Sequence, residues 1–366
     1  MSVTHGARAE RTFSDSVVVA ISSAGFTGYG EAVVRDYVSG SLGEGSAFQR
    51  EASRTVARLI APLEGRFSSW ASLQEYLAAV ECDDQELPLL CAVETALLDI
   101  ACRWENKDIY SLLGRAPVRN VVSYGAIMAI LQPPEAEKHL RMCAGLGFSN
   151  MKIKVNGDAL HTATILELSR KILGERFDIR VDANCSWPVD DAGALFDVCR
   201  RFHVGLVEQP FDDLARGATE AIREARRRSF SVIADEGVLS SRDLETLAEA
   251  GTYSIVNLRL SKNGGLSRVL ALATTALRNG LAYQLGCMVG ETGILSALGR
   301  SAAALLSEPL YVEGSYDDAL LTDNITVRSL GFGQRGEAPV IRGQRIGFEV
   351  SLEKLARLSI ARVACV

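Results

Sequence analysis

The 366-residue chain predicts a parallel β/α barrel joined to a smaller α+β domain, and three observations carry that reading. Short β-rich runs begin near Val122, Met151, Ile179, Gly205, Ser231, Ser254, Leu281 and Leu310. They recur about every 24 to 29 residues, with helical text in most of the gaps, as eight strand-plus-helix units in series would. Acidic residues close three successive runs: Asp182 in Arg180-Val181-Asp182-Ala183-Asn184, Glu208 in Gly205-Leu206-Val207-Glu208-Gln209-Pro210, and Asp235 in Val232-Ile233-Ala234-Asp235-Glu236. No glycine-rich phosphate loop follows the first run, Val122 to Ile130, where an open doubly wound sheet usually carries one. The open sheet remains the alternative on pattern alone.

The elements follow in order. From Ser16 to Glu31 two β-like runs flank the turn residues Ser22, Ser23 and Gly25, which predicts a hairpin. From about Ala47 to Leu112 apolar residues recur at three and four, notably in Ala92 to Ala101, which predicts helices packed on that hairpin. The barrel text follows Val118, and from Leu321 the chain returns to short strands and loops punctuated by Gly331, Gly333, Gly336, Gly343 and Gly347. The expected division is therefore 1–117 for an α+β domain, 118–320 for the barrel and 321–366 for a tail folding back onto the first domain.

Composition narrows the function. Apolar residues make up 48% and charged residues 23%, with a formal net charge of −6, as in a globular protein with a sizeable core. Lysines and arginines are scattered except for Arg226-Arg227-Arg228, which reads as a solvated helix face, so neither nucleic acid nor a membrane is the expected partner. No apolar run reaches the roughly 18 to 20 residues that cross a bilayer. The first residues, Met1 to Arg8, lack the apolar segment of a signal peptide. The eight cysteines, several of them in apolar stretches, then read as reduced thiols of a cytoplasmic protein.

In a barrel, residues at the C-terminal ends of the strands share one mouth, so Lys154, Asp182, Glu208, Asp235 and Lys262 are expected to converge. Three carboxylates suit octahedral Mg²⁺ or Mn²⁺ better than zinc, which prefers nitrogen and sulfur. Any one of these acids alone reads first as a strand-end or N-cap residue, and the series is what shifts the balance. Lys152 and Lys154 alternate about Ile153, so both face the barrel interior, where Lys152 lowers the pKa of Lys154 toward that of a base. Lys154 and Lys262 then bracket a carbon next to a carboxylate, and a divalent cation stabilises the enediolate left when the proton departs.

Lys152-Ile153-Lys154, Asp182-Ala183-Asn184 with Trp187, Val207-Glu208-Gln209-Pro210, Ala234-Asp235-Glu236 and Ser261-Lys262-Asn263-Gly264-Gly265 together resemble the enolase superfamily, and within it the muconate cycloisomerase subgroup of dipeptide epimerases, N-succinylamino acid racemases and o-succinylbenzoate synthases. The resemblance covers nearly the whole chain. It implies a (β/α)7β TIM-like barrel capped by an α+β domain built from the N-terminal region and the C-terminal tail. It also implies Mg²⁺ on Asp182, Glu208 and Asp235, an acid/base pair of Lys154 and Lys262, support from Lys152, Asn184, Glu236 and Glu291, and a homo-oligomer. Where the mandelate racemase branch carries a histidine base this chain reads Tyr283-Gln284-Leu285-Gly286-Cys287-Met288; its four histidines, His5, His139, His161 and His203, read as surface or packing residues.

Specificity is expected from the cap and the late strands. Arg35 can pair with a distal carboxylate or acyl group and Tyr37 can close over the ligand, with an exposed turn as the equal alternative for both. Dipeptide epimerases of the subgroup carry two aspartates one residue apart after the eighth strand; here Ser315 stands in place of the first and Asp317 keeps the second. The expected activity is racemisation or epimerisation of an N-acyl amino acid or dipeptide-like carboxylate. A cycloisomerase or dehydratase comes second and a silent metal-binding scaffold third. Only Ser2 to Arg11 precedes the turn into Val17, so a short or missing first cap strand is also expected, leaving the roles of His5 and Arg8 open.

Overall fold

The computed structural model describes residues 3–5, 9–11, 14–23, 25–35, 38, 45–63, 69–343 and 345–364. Seven strands, β6 (Ala126–Met128), β7 (Asn150–Lys154), β8 (Asp178–Asp182), β9 (Leu206–Glu208), β10 (Ser231–Ala234), β11 (Ile255–Arg259) and β12 (Ala282–Gly286), lie side by side in chain order. All six pairings are parallel. The run after Leu310 closes the ring. Leu285 bridges Val312 in parallel, and Gly125 N–H donates to the Val312 carbonyl at 2.9 Å, which joins that run to the start of the first strand. This is a (β/α)7β barrel with eight staves.

Strands covered on both faces need no alternation of polar and apolar residues, and all five residues of β11 are buried. Their outward side chains are mostly aliphatic, as Val256 and Leu258 on β11, while the lumen holds Lys152, Arg180, Asn257, Arg259 and Gln284, each at most 4% exposed. The covering helices carry their own stop signals. Asp158 caps α6 (Ala159–Leu173), a Ser240–Asp243 capping box opens α9 (Ser241–Ala250), and left-handed Gly147 and Gly251 end α5 (Pro133–Leu146) and α9.

The cap is built on a hairpin, β3 (Val17–Ser23) with β4 (Phe26–Ala32), laid on α3 (Leu87–Trp104), which is buried along nearly its whole length. The approach is close enough that a Cβ on Gly28 or Gly30 would overlap the carbonyl oxygens of Ala96 or Ala92, so only glycine fits there. Two cap carboxylates dock it on the barrel. Glu31 accepts from Thr292 and Leu295 N–H groups at the start of α11 (Gly293–Leu305), and Glu94 accepts from Ser267 N–H at 2.9 Å at the start of α10 (Leu266–Arg278). Each places carboxyl oxygens against the N–H groups at the positive end of a barrel helix.

One boundary differs from the sequence expectation, and the first residues form a short strand pair apart from the cap. The run at Val122 belongs to a separate strand, β5 (Val121–Ser123), which pairs antiparallel with β13 (Glu337–Pro339), and the first barrel strand begins at Ala126. Val3–His5 (β1) does not join the cap hairpin; it pairs with β2 (Ala9–Arg11) in a two-stranded piece of its own. Arg8 and Tyr37 lie outside the described residues. The last segment also meets the helical region, with Ile109 N–H donating to the Arg345 carbonyl at 3.0 Å. Among the described residues no helix is long and apolar enough to cross a membrane, and the seven described cysteines are free thiols.

Candidate active site

Register places the acids side by side. Lys154 on β7 is opposite Asp182 on β8, and Asp182 is opposite Glu208 on β9. Because Glu208 pairs with Ile233, Asp235 projects just beyond the end of β10. All three carboxylates have 0% exposure. Left-handed Asn184 (φ 43°), Cys185 (φ 61°) and Gln209 (φ 34°) turn the chain sharply past β8 and β9, strain of the kind that concentrates at functional sites.

Lys152 and Lys154 both enter the lumen. The Lys152 ammonium lies 2.8 Å from Glu313 Oε2, 3.2 Å from Glu208 Oε1 and 3.5 Å from Asp182 Oδ2. Lys154 donates to Asn184 Oδ1 at 2.7 Å and stands 3.5 Å from the same Asp182 oxygen. Glu208 has partners on both oxygens: Asn257 Nδ2 and Gln284 Nε2 each donate to it at 2.9 Å. Asp182 Oδ1 accepts from Asn184 N–H, while Oδ2 is buried and accepts no hydrogen bond. Glu236 accepts from Asn184 Nδ2 at 3.2 Å through one oxygen and leaves the other without a partner.

The opposite wall is β11. Asn257 and Arg259 share its inner face, and the Arg259 guanidinium forms a close ion pair with Asp235 Oδ2 and lies 3.9 Å from Glu208. Lys262, past the strand end, donates to the carbonyls of Asp235 (2.6 Å) and Asn257 (2.7 Å) and to Asp235 Oδ1 (3.0 Å).

Burial drives the protonation states. It lowers the pKa of Lys154, and the cations Lys152 and Arg259 add to the effect against the pull of Asp182. Lys262 falls well below the ordinary lysine value, chiefly through burial and then through Arg259. Burial also opposes the charge on Lys152, but Glu208, Glu313 and Asp182 outweigh it and hold that pKa above the ordinary value. Burial and the charges of Asp182 and Glu208 raise Glu236 to about 7, and burial raises Glu291 to about 8.

The donor set fits a hard cation: three buried carboxylates from adjacent strand ends, with one oxygen lacking a hydrogen bond. They are not gathered around one point as they stand. Among the described residues no three acidic, histidine or cysteine side chains are close enough to hold an ion, because the ammonium groups and Arg259 stand between the carboxylates.

The expected substrate residues are less convergent. Arg35 is 1% exposed and its guanidinium binds Asp15 at 3.0 Å and the Val289 carbonyl at 2.8 Å, tying the cap to the loop after β12. Ser315 Oγ sits between Arg300 and the Tyr124 hydroxyl, and Asp317 accepts from Ser296 and Asn324, so both are engaged in packing. Glu291 accepts from Met288 N–H at 2.7 Å. Sequence reading missed Arg259, Glu313 and Arg180, which donates to Glu313 at 2.7 Å. The signal for Arg259 was there: it closes the run Ile255-Val256-Asn257-Leu258-Arg259, two residues after Asn257 and therefore on the same face.

Residues 135–353 match the family model described as Enolase C-terminal domain-like. The L-Ala-D/L-Glu epimerase of Clostridium acetobutylicum is 24% identical over 323 residues, 84% of either chain. The o-succinylbenzoate synthase of Thermobifida fusca is 31% identical over 250 residues, 67% of this chain and 73% of that one. The dipeptide epimerase of Enterococcus faecalis, in a crystal structure with Mg and the dipeptide L-Leu-L-Tyr, superposes with a TM-score of 0.76 at 21% identity over 92% of each chain. The chain belongs to the Enolase C-terminal domain-like family and is an enolase-superfamily enzyme.

Proposed function

We propose that this enzyme removes the proton next to a carboxylate of a small-molecule substrate, through an enediolate, with Lys154 as the group that takes the proton. The observation that carries the reading is Lys154 itself: a buried ammonium at a strand end, held by Asn184 beside Asp182, whose pKa is lowered. A lowered amine pKa is the direction that general-base catalysis requires. Asp182, Glu208 and Asp235 would hold Mg²⁺ or Mn²⁺, which when bound neutralises charge developing on the substrate carboxylate. The Mg in the Enterococcus relative supports that choice. Asn184 positions the Lys154 amine, and Lys152, paired with Glu208 and Glu313, keeps a fixed positive charge beside it.

Two outcomes follow from one enediolate. The names of the epimerase relatives support epimerisation of an N-acyl amino acid or dipeptide-like carboxylate, with Lys262 as the opposed acid/base. The three acceptors already held by the Lys262 ammonium favour a lyase or cycloisomerase that needs a single base, in line with the o-succinylbenzoate synthase relative.

The test is deuterium uptake from D₂O with Mg²⁺ across N-succinyl and N-acetyl amino acids, dipeptides and the cyclic precursor of o-succinylbenzoate. Uptake abolished by Lys154→Ala and by chelation is the expected result. Uptake that survives Lys154→Ala removes the base assignment, and its absence from every compound returns the chain to a silent scaffold.

A further inference from the structure

We infer that Arg259, and not Lys262, is the cation that meets the substrate opposite Lys154, so that the substrate proton is handled on one face only. This rests on the proton abstraction proposed above. In an eight-stave barrel the second and sixth strands stand opposite each other, and here those are β7, which ends in Lys154, and β11, which ends in Arg259. Strand alternation gives the inner face of β11 to Asn257 and Arg259, as their contacts with Glu208 and Asp235 show. Lys262 comes after the strand has ended, and its amine reaches back between the ends of β10 and β11.

Donor counts separate the two residues. Lys262 has three oxygen acceptors within 3.0 Å, two of them backbone carbonyls, which occupies all three N–H donors of an ammonium and both donors of a neutral amine. A guanidinium has five. Arg259 has one hydrogen-bonded carboxylate, that of Asp235, and a sulfur contact with Met288 at 3.5 Å; its Nε is without a partner although the residue is only 4% exposed. A buried guanidinium with unused donors calls for a further acceptor, and the oxygens of a substrate carboxylate match its planar fork.

Arginine keeps its protons throughout the working range of proteins, so it neither takes nor returns one. Lys154 breaks the C–H bond by taking the proton, and the electron pair enters the enediolate. The same amine then returns the proton to the face it left, or the pair expels an oxygen from the neighbouring carbon and that oxygen carries the proton away as water. Neither route needs an oxidant or a reductant. Inversion needs a base on the second face, which arginine does not provide. Arg259 therefore sets the stereochemical outcome.

The experiment follows deuterium uptake together with chiral analysis in the full-length enzyme with Mg²⁺. Wild-type exchange should retain configuration, the antipode forming at least a hundredfold more slowly than exchange. Arg259→Lys, which installs a titratable amine on the second face, should bring antipode formation to within about tenfold of exchange. A wild-type enzyme that forms the antipode as fast as it exchanges overturns the inference. Calorimetric binding of oxalate, a planar dianion, gives a second readout without turnover: Arg259→Met should weaken it at least tenfold and Arg259→Lys less than threefold. Unchanged oxalate binding in Arg259→Met overturns the role of Arg259. Exchange that survives Lys154→Ala instead overturns the underlying reading, which the oxalate result does not touch.

Discussion

The two walls of the barrel mouth use the same chemistry, buried cations against buried carboxylates, to opposite ends. On the β7–β8 wall, Lys152 and Lys154 alternate on one strand and share a single oxygen of Asp182, each at 3.5 Å. Burial lowers the pKa of Lys154, and repulsion from Lys152 adds to it against the pull of Asp182. On the β11 wall the lysine is tied to backbone carbonyls and the arginine takes the lumen. A cation's place in the donor network, more than its distance from an acid, decides whether it is available as a base.

The largest expected effect breaks the first wall. Lys154→Ala should lower α-proton exchange on the order of 10² to 10⁴-fold, the range for loss of a general base, while Mg²⁺ still raises the melting temperature. An exchange rate within tenfold of wild type would move the base elsewhere. Next comes Lys152→Met, which leaves Glu208 and Glu313 without their shared ammonium; one-sided removal of a buried pair costs about 3–5 kcal/mol, to be read by urea unfolding. The same change removes a positive neighbour of Lys154, so the alkaline-going limb of the exchange rate should move to higher pH. A limb that stays in place would separate Lys152 from the tuning of Lys154. A smaller effect tests the row of acids. Glu208→Gln should abolish the Mg²⁺-dependent rise in melting temperature, a stabilisation of about 2.7 kcal/mol in wild type at a hundredfold excess over the dissociation constant.

The barrel and one wall were legible in the sequence because strand period and strand-end position are local properties. Asp182, Glu208 and Asp235 each close an apolar run, and Lys152 and Lys154 differ by two residues, so topology alone carries them to one mouth. The second wall was harder because motif reading favoured Lys262, next to Asn263-Gly264-Gly265, over Arg259, whose place depends on where β11 ends. The β5 run near Val122 reads in sequence as a barrel strand because short apolar runs do not reveal their partner; only the antiparallel register with β13 separates it. Arg35 is polar in sequence yet nearly fully buried, a pairing with Asp15 and a loop carbonyl that no local pattern encodes.

The smallest effect sharpens the comparison at Glu291, on the loop after β12. Burial raises its pKa from 4.5 to about 8, with Arg259 pulling weakly the other way, so near neutral pH it is largely protonated and leaves Asp235 as the carboxylate paired with that guanidinium. Asp182, on the other wall, stays ionised because Lys154, Lys152 and Arg259 outweigh its burial. The sign follows from linkage: between 4.5 and about 8 the folded chain holds a proton that the unfolded chain has lost, so the stability from Glu291 is complete below 4.5 and is lost as pH rises through about 8. Each pH unit within that interval removes about 1.4 kcal/mol at most. Glu291→Gln keeps an oxygen for the Met288 N–H and cannot ionise, so its melting temperature should gain on wild type by roughly one to three degrees between pH 6 and 7. A difference between the two proteins that does not change with pH would mean that Glu291 is ionised in the fold, and Arg259 would then face a second carboxylate in place of a substrate oxygen.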